Sequence, residues 1–197
     1  MAAVLSTMLA LGTQVPEFSL VNAVDGRHVS PKDYRSERAL LVMIICNHCP
    51  YVKHVLREIG RIAAKYQSKG VGLIAISSND VAAFPDDGPE RMRGLAATEG
   101  WKFPYLFDES QEVAKAFQAA CTPEFYVFDG ARRLVYRGQL DDSRPNNTEP
   151  VRGKDLRAAL DAVLAGKPVS QDQKPSIGCN VKWKPGNEPT WFTVPAA

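Results

Sequence analysis

The stretch Ala39-Leu-Leu-Val-Met-Ile-Ile45 is an uninterrupted apolar run, and it leads directly into Cys46-Asn-His-Cys49 and then Pro50. A short run of this kind, with β-branched residues in it, is expected of a central strand covered on both faces. After Pro50, the residues Val52, Val55, Leu56, Ile59, Ile62, Ala63 and Tyr66 recur at helical spacing. Lys53, Arg57 and Lys65 fall between them, and Gly70 closes the segment. The pattern predicts an amphipathic helix. Two cysteines therefore sit where a buried strand ends and a helix begins.

The remaining elements follow from the same periodicities. Asp25-Gly26 is a turn signal between two short segments with apolar positions and predicts an N-terminal hairpin over Phe18 to Val29. Val71-Gly-Leu-Ile-Ala-Ile-Ser77 reads as a second buried strand, and the Asp, Pro and Gly content of Asn79 to Gly88 reads as a loop. A helix is expected from about Pro89 to Thr98, an extended segment over Phe103 to Phe107, and a helix over Ser110 to Ala119. Phe125-Tyr-Val-Phe128, the Asp129-Gly130 turn and Leu134-Val-Tyr136 predict a second hairpin, with a last helix over Gly153 to Leu164. Strands alternating with helices, then a terminal hairpin and helix, predict an α/β sandwich with a mixed central sheet. Residues 1–167 are read as one domain. Pro168, Pro175, Pro185, Pro189 and Pro195 exclude a long helix beyond it, so 168–197 is read as an extended tail packed on the domain.

Charge limits the classes of partner. Lys and Arg number 24 against 22 Asp and Glu, a net +2 that gives no reason to invoke nucleic acid or an anionic membrane. The longest apolar runs are far short of the roughly 20 residues a spanning helix needs. Met1 to Leu11 is mildly apolar but has no Lys or Arg before its apolar stretch, so it is not expected to act as a signal peptide. Four cysteines are too few for a disulfide-built scaffold, and the C-x-x-C spacing points to redox or metal chemistry in a reducing compartment, with the cytosol expected.

The position of the pair favours redox chemistry. A helix N-terminus presents unpaired N–H groups and a positive dipole end, which favour a thiolate, the form that attacks a disulfide. Cys46 is the expected nucleophile, and Cys49, two residues on, the thiol that resolves its mixed disulfide. His48, when protonated, is expected to lower the Cys46 pKa and raise the reduction potential. The competing reading is a metal site, either structural zinc on Cys46 and Cys49 with Cys121 and Cys179 as would-be partners or a module using Cys46, Cys49 and His48 with or without Cys121, but neither Cys121 nor Cys179 belongs to a second C-x-x-C that would complete a zinc knuckle. Pro50 stands where a c-type haem motif needs histidine. No G-x-G-x-x-G is present, so no bound cofactor is expected, and electrons must pass to or from an external dithiol system.

With the cysteine pair after a strand and Thr122-Pro123 before another, the chain resembles the thioredoxin superfamily and, more narrowly, the peroxiredoxin-like redoxins of the AhpC/TSA group. The resemblance covers about Leu11 to Leu164. It rests on Gly12-Thr-Gln-Val-Pro-Glu-Phe-Ser-Leu20, Cys46-Asn-His-Cys-Pro-Tyr-Val52 and Gly138-Gln-Leu-Asp-Asp-Ser-Arg-Pro145, with Lys174-Pro-Ser-Ile-Gly-Cys-Asn-Val-Lys-Trp-Lys184 in the tail. It implies a thioredoxin-like fold, a cis bond at Pro123 facing the cysteines, and a Thr122 backbone that hydrogen-bonds a bound peptide. The implied activity is dithiol/disulfide exchange with a disulfide-containing protein or a small-molecule thiol, His48 lying beside that substrate. Antioxidant peroxide reduction is the alternative. Peroxiredoxins of this group hold their cysteine with a Thr or Ser three residues before it, a Pro seven before it and a neighbouring Arg. Here Met43, Ala39 and Pro123 stand in those places.

Cys121, beside Pro123, and Cys179, on a tail flexible enough to reach the others, are candidate additional redox thiols. His28 and His54 are expected at the surface, and Trp101, Trp183 and Trp191 as packing anchors. Arg137 and Arg144 are expected in solvent, and Asp141 and Asp142 are candidate proton acceptors near the thiols.

Overall fold

A computed structural model describes residues 3–192, so Pro195 lies outside the described residues. In chain order the strands are β1 (Ala3–Leu5), β2 (Leu20–Asn22), β3 (His28–Val29), β4 (Ala39–Ile44), β5 (Val71–Ser77), β6 (Tyr105–Phe107), β7 (Cys121–Thr122), β8 (Glu124–Phe128), β9 (Leu134–Gly138) and β10 (Ile177–Asn180). The helices are α1 (Pro50–Gln67), α2 (Pro89–Thr98), α3 (Glu112–Ala116) and α4 (Lys154–Leu164).

Seven strands form one mixed sheet in the order β3-β2-β6-β5-β4-β8-β9. β4 runs parallel to β5 and antiparallel to β8, and β5 runs parallel to β6. β4 is buried along its whole length because both its faces are covered. Leu41, Met43 and Ile45 point toward α1, α2 and α4, where they meet Val52, Ile59, Met92 and Leu160. Leu40, Val42 and Ile44 point the other way, into a layer with Val113 and Phe117. A side-chain period of two thus builds two cores from one strand. Both expected hairpins form, β2 with β3 and β8 with β9.

A second, three-stranded sheet has the order β1-β10-β7. Its central strand comes from the tail. β10 lies antiparallel to β1, with Ala3 opposite Cys179, and antiparallel to β7, with Cys179 opposite Thr122. Beyond β10, Val181 N–H donates to the Ala120 carbonyl (3.0 Å), and Lys182 N–H donates to the Asn79 side chain (2.9 Å). Gly178 makes the close approach possible: a Cβ there would lie 2.0 Å from the Thr122 carbonyl oxygen.

α3 is shorter than the periodicity of 110–119 predicts. Gln111 is left-handed (φ 66°) and so is Gln118 (φ 50°), which limits the helix to five residues. The Gln111 side chain accounts for the first boundary. It is fully buried and donates to the carbonyls of Ser78 (2.7 Å) and Lys182 (2.9 Å), tying three segments together. Tertiary hydrogen bonds outweigh local propensity here.

Glu124, on β8, is fully buried on the α3 side of the sheet. One carboxyl oxygen accepts from Ala120 N–H (3.2 Å), and the other has no partner. Burial pushes its pKa from the ordinary 4.5 up to about 8. Between those values the unfolded chain releases a proton that the folded chain keeps. Stability therefore declines as pH rises from about 4.5 to 8 and levels off above. Glu124→Gln is expected to remove this slope, gaining on the order of 4 kcal/mol relative to the parent between pH 5 and pH 8. Urea unfolding of both proteins at three pH values checks it; parallel profiles would show that Glu124 does not titrate across folding.

Candidate active site

The site is assembled where β4 ends. Cys46 follows the strand, and Cys49, in extended conformation (φ −64°, ψ 124°), is the cap residue ahead of α1, with Pro50 at the first helical position. Pro is suited to that position, since its fixed φ fits the first turn and its missing N–H has no partner to lose there. Cys46 and Cys49 are both buried, and all four cysteines are free thiols.

The wall opposite them is Thr122, which precedes a cis peptide bond to Pro123. The Cys46 sulfur lies 3.4 Å from the Thr122 hydroxyl, and the Cys49 thiol donates to the Thr122 carbonyl at 3.3 Å. One residue thus touches both sulfurs. The backbone edge expected to receive a peptide is not open, however, because β10 occupies it.

Asp87 organises the loop between the cysteines. Its fully buried carboxylate accepts from the backbone N–H groups of Asn47 (2.7 Å) and His48 (3.1 Å), pairs with His48 Nδ1 (2.5 Å), and accepts from the Asn79 amide (2.8 Å). Asn47 is fixed further by the Tyr105 hydroxyl, which donates to its side-chain oxygen (3.1 Å). His48 stacks on Phe84 with ring centres 5.1 Å apart, and the Lys182 ammonium lies 5.7 Å from the other ring's centre. The tail is therefore tied to the cysteine loop from two directions, through Asn79 and through Phe84.

The electrostatics differ from those expected of a helix N-terminus with a neighbouring histidine. Cys46 is pushed up, first by donating its thiol hydrogen bond to Cys49, then by burial and the Asp87 charge. Cys49 is lowered because its sulfur accepts hydrogen bonds, foremost from Cys179 and next from Cys46. His48 does not act on Cys46 alone, since its imidazole is hydrogen-bonded to the carboxylate that disfavours a Cys46 thiolate. Of the two thiols, Cys49 is the one whose surroundings favour the thiolate.

Several other expectations need revising. Cys179 is not carried on a flexible tail; it is held in β10 opposite Thr122, the residue whose carbonyl meets the Cys49 thiol. Cys121 is fully buried, and burial followed by the Glu124 charge pushes its thiol well up. His54 is half-buried with an unpartnered Nε2, rather than exposed. Arg137 is bound to the Leu9 carbonyl and the Gln173 side chain, and Arg144 to the Gln139 side chain and the carbonyls of Asp141 and Ser143, so neither is merely solvated. Asp141 accepts from the N–H groups of Ser143, Arg152 and Gly153, and Asp142 holds Lys154 and Lys174. Those bonds order the loop before α4. Trp101 packs on Phe103 and Tyr105, and Trp183 on Trp191 and Phe192, as anchors do.

Among the described residues, Cys46, His48 and Asp87 place ligand atoms within 4.8 Å of one another. A cation there would have to displace the Asp87 hydrogen bonds that shape the loop.

Asp87, Asn79 and Tyr105 were not apparent as site residues from the sequence. An Asp between Pro85 and Gly88 carries the signal of a turn and nothing that separates a buried acceptor from a solvated one.

A parallel βαβ core, an antiparallel terminal hairpin and a C-x-x-C ahead of a helix opposite a cis-proline define a redoxin of the thioredoxin superfamily. The chain belongs to the Redoxin family, whose sequence model matches residues 10–156. An uncharacterised conserved protein of Geobacillus kaustophilus has a solved structure that is similar throughout: 57% identity, TM-score 0.93, with 94% of this chain and 98% of that one covered. A structure from Chlorobium tepidum described as a thiol:disulfide interchange protein shares the fold at 16% identity (TM-score 0.62, covering 79% and 99%). A peroxiredoxin-like protein of Mycobacterium tuberculosis strain H37Rv is 26% identical over 121 residues, 61% of this chain and 71% of its own length.

Proposed function

We propose that this redoxin is a thiol–disulfide oxidoreductase that cycles Cys46 and Cys49 between dithiol and disulfide. The observation that carries the reading is that both cysteine sulfurs meet one residue, the Thr122 that precedes the cis-proline: Cys46 Sγ lies 3.4 Å from its hydroxyl and Cys49 Sγ 3.3 Å from its carbonyl oxygen, at the start of α1. A substrate disulfide is attacked by the Cys46 sulfur, forming a mixed disulfide and releasing one substrate thiolate. The Cys49 thiolate then attacks Cys46, forms the Cys46–Cys49 bond and expels the second substrate thiolate. The substrate is a protein disulfide or a small disulfide, and an external dithiol, in a cytosolic setting, returns the electrons. Because both sulfurs are buried, a substrate reaches them only when β10 lifts from the Thr122 edge.

Equilibration in glutathione buffers tests this. The wild type is expected to lose two free thiols and give a Cys46–Cys49 peptide on mass spectrometry, and Cys46→Ser to lose all dithiothreitol-driven reduction of insulin. If wild-type Cys46 and Cys49 stay unbonded across the whole redox range, the reading fails. The fitted potential gives the direction of electron flow, about 30 mV being tenfold for this couple.

A second reading, peroxide reduction, is favoured by the Thr122 hydroxyl, which gives Cys46 the hydroxyl contact that Met43 does not. Steady consumption of hydrogen peroxide with a dithiol donor, lost in Cys46→Ser, is its expected signature.

A further inference from the structure

The tail strand brings a third thiol to the pair. Cys179 lies opposite Thr122 in the β10–β7 register, and Thr122 is the residue whose carbonyl takes the Cys49 thiol hydrogen bond. Cys46, Cys49 and Cys179 are buried together in one cluster, and the hydrogen-bonding between Cys49 and Cys179 that lowers the Cys49 pKa raises that of Cys179. Cys49 thus lies between Cys46, three residues before it in the chain, and Cys179, brought to it across Thr122 by the β10–β7 pairing. β1 on one side of Cys179 and β7 on the other hold it there, and Gly178 lets the strand approach without a side chain in the way.

We propose that Cys179 is a second resolving thiol, which attacks the Cys49 sulfur of the Cys46–Cys49 disulfide and moves the bond to Cys49–Cys179. The inference rests on the disulfide-exchange reading given above. In this step the Cys179 thiolate forms a new S–S bond to Cys49 while the Cys46–Cys49 bond breaks. The electron pair leaves on the Cys46 sulfur, which takes up a proton equivalent to the one Cys179 gave up. Nothing is oxidised or reduced overall, so no further reactant is needed. The result is a protein that remains oxidised by two electrons yet again has a free Cys46 thiol.

The surroundings favour the step in the oxidised state. With Cys49 reduced, Cys179 stays protonated because it donates to Cys49 and is buried; the Lys182 charge opposes this. Once Cys49 is in a disulfide the first of these causes is gone. Attack is thereby restricted to the state in which there is a bond to attack.

The test uses the full chain. After a pulse of oxidised glutathione followed by acid trapping, wild-type protein is expected to show the Cys46–Cys49 peptide first and the Cys49–Cys179 peptide rising as the first declines. Cys46→Ser, which keeps the tail intact, is expected to lose two of its three remaining thiols and give only the Cys49–Cys179 peptide. Cys46→Ser/Cys179→Ala is expected to lose at most one thiol, as a mixed disulfide with glutathione. The proposal is overturned if wild type accumulates Cys46–Cys49 and never Cys49–Cys179, while the exchange reading survives that result. It is overturned equally if Cys46→Ser binds glutathione at Cys49 without forming an internal bond, or pairs Cys49 with Cys121. Absence of the Cys46–Cys49 bond in wild type removes the reading on which the proposal rests, and with it the proposal.

Discussion

Asp87→Ala is expected to lower stability by about 3–5 kcal/mol, the cost of leaving buried donors without their charged acceptor. In a chain of this size that corresponds to a Tm lower by roughly 10–15 °C. The four groups that lose their partner are the N–H groups of Asn47 and His48, the His48 ring and the Asn79 amide, and water reaches this carboxylate nowhere. The same residue acts on the thiols. Its charge is one of the causes holding Cys46 protonated, so Asp87→Asn, which keeps the shape and removes the charge, is expected to shift the pH midpoint of Cys46 alkylation downward. Thermal melts and iodoacetamide rates across pH separate the two effects. A melt unchanged in Asp87→Ala would mean that the cysteine loop holds its shape without the carboxylate.

Gly178→Ala is expected to detach the tail strand. Its Cβ would lie 2.0 Å from the Thr122 carbonyl oxygen and 2.7 Å from the carbonyl carbon, and both belong to backbone that cannot rotate away. Either β10 or the Thr122–Pro123 segment must shift. Overpacking of this kind costs about 1–3 kcal/mol, but the larger consequence is exposure. Cys46, Cys49 and Cys179 are buried in the wild type and are expected to react with a maleimide at least tenfold faster in the variant. Hydrogen exchange should show lost protection at Val181 N–H, which donates across that contact, with little change in β4 and β5. Wild-type thiol reactivity in Gly178→Ala would mean that the strand accommodates the methyl group without leaving the edge.

Much of this architecture was legible because it rests on periodicity. The apolar run 39–45 and the helical spacing after Pro50 located β4, α1 and the cysteine pair between them, and the Asp129-Gly130 turn between the segments 125–128 and 134–136 located the second hairpin. What escaped has a common physical cause. Asp87 is buried by the approach of segments distant in sequence, and its local signature is that of any turn. Gln111 breaks the start of a predicted helix because its amide binds carbonyls more than 30 and 70 residues away. The prolines of 168–195 excluded a helix, yet they did not reveal that four residues among them form the middle strand of a second sheet. Nor did the sequence show that a histidine between two cysteines would turn to a carboxylate 39 positions on.

The placement of β10 also bears on how the protein is made. During synthesis at about 5–20 residues per second, the cysteine pair leaves the ribosome roughly ten seconds before the strand that covers it. A nascent domain with β4, β5 and α1 in place but without residues 177–183 presents two sulfurs and an unpaired Thr122 edge to the surrounding medium. Pairing of residues 3–5 with 177–179 closes a loop nearly as long as the chain, an arrangement that forms late. Until residues 177–183 dock, Cys46 and Cys49 lack the strand that pairs with Thr122 over them, and that edge is open to pairing with a strand of another copy.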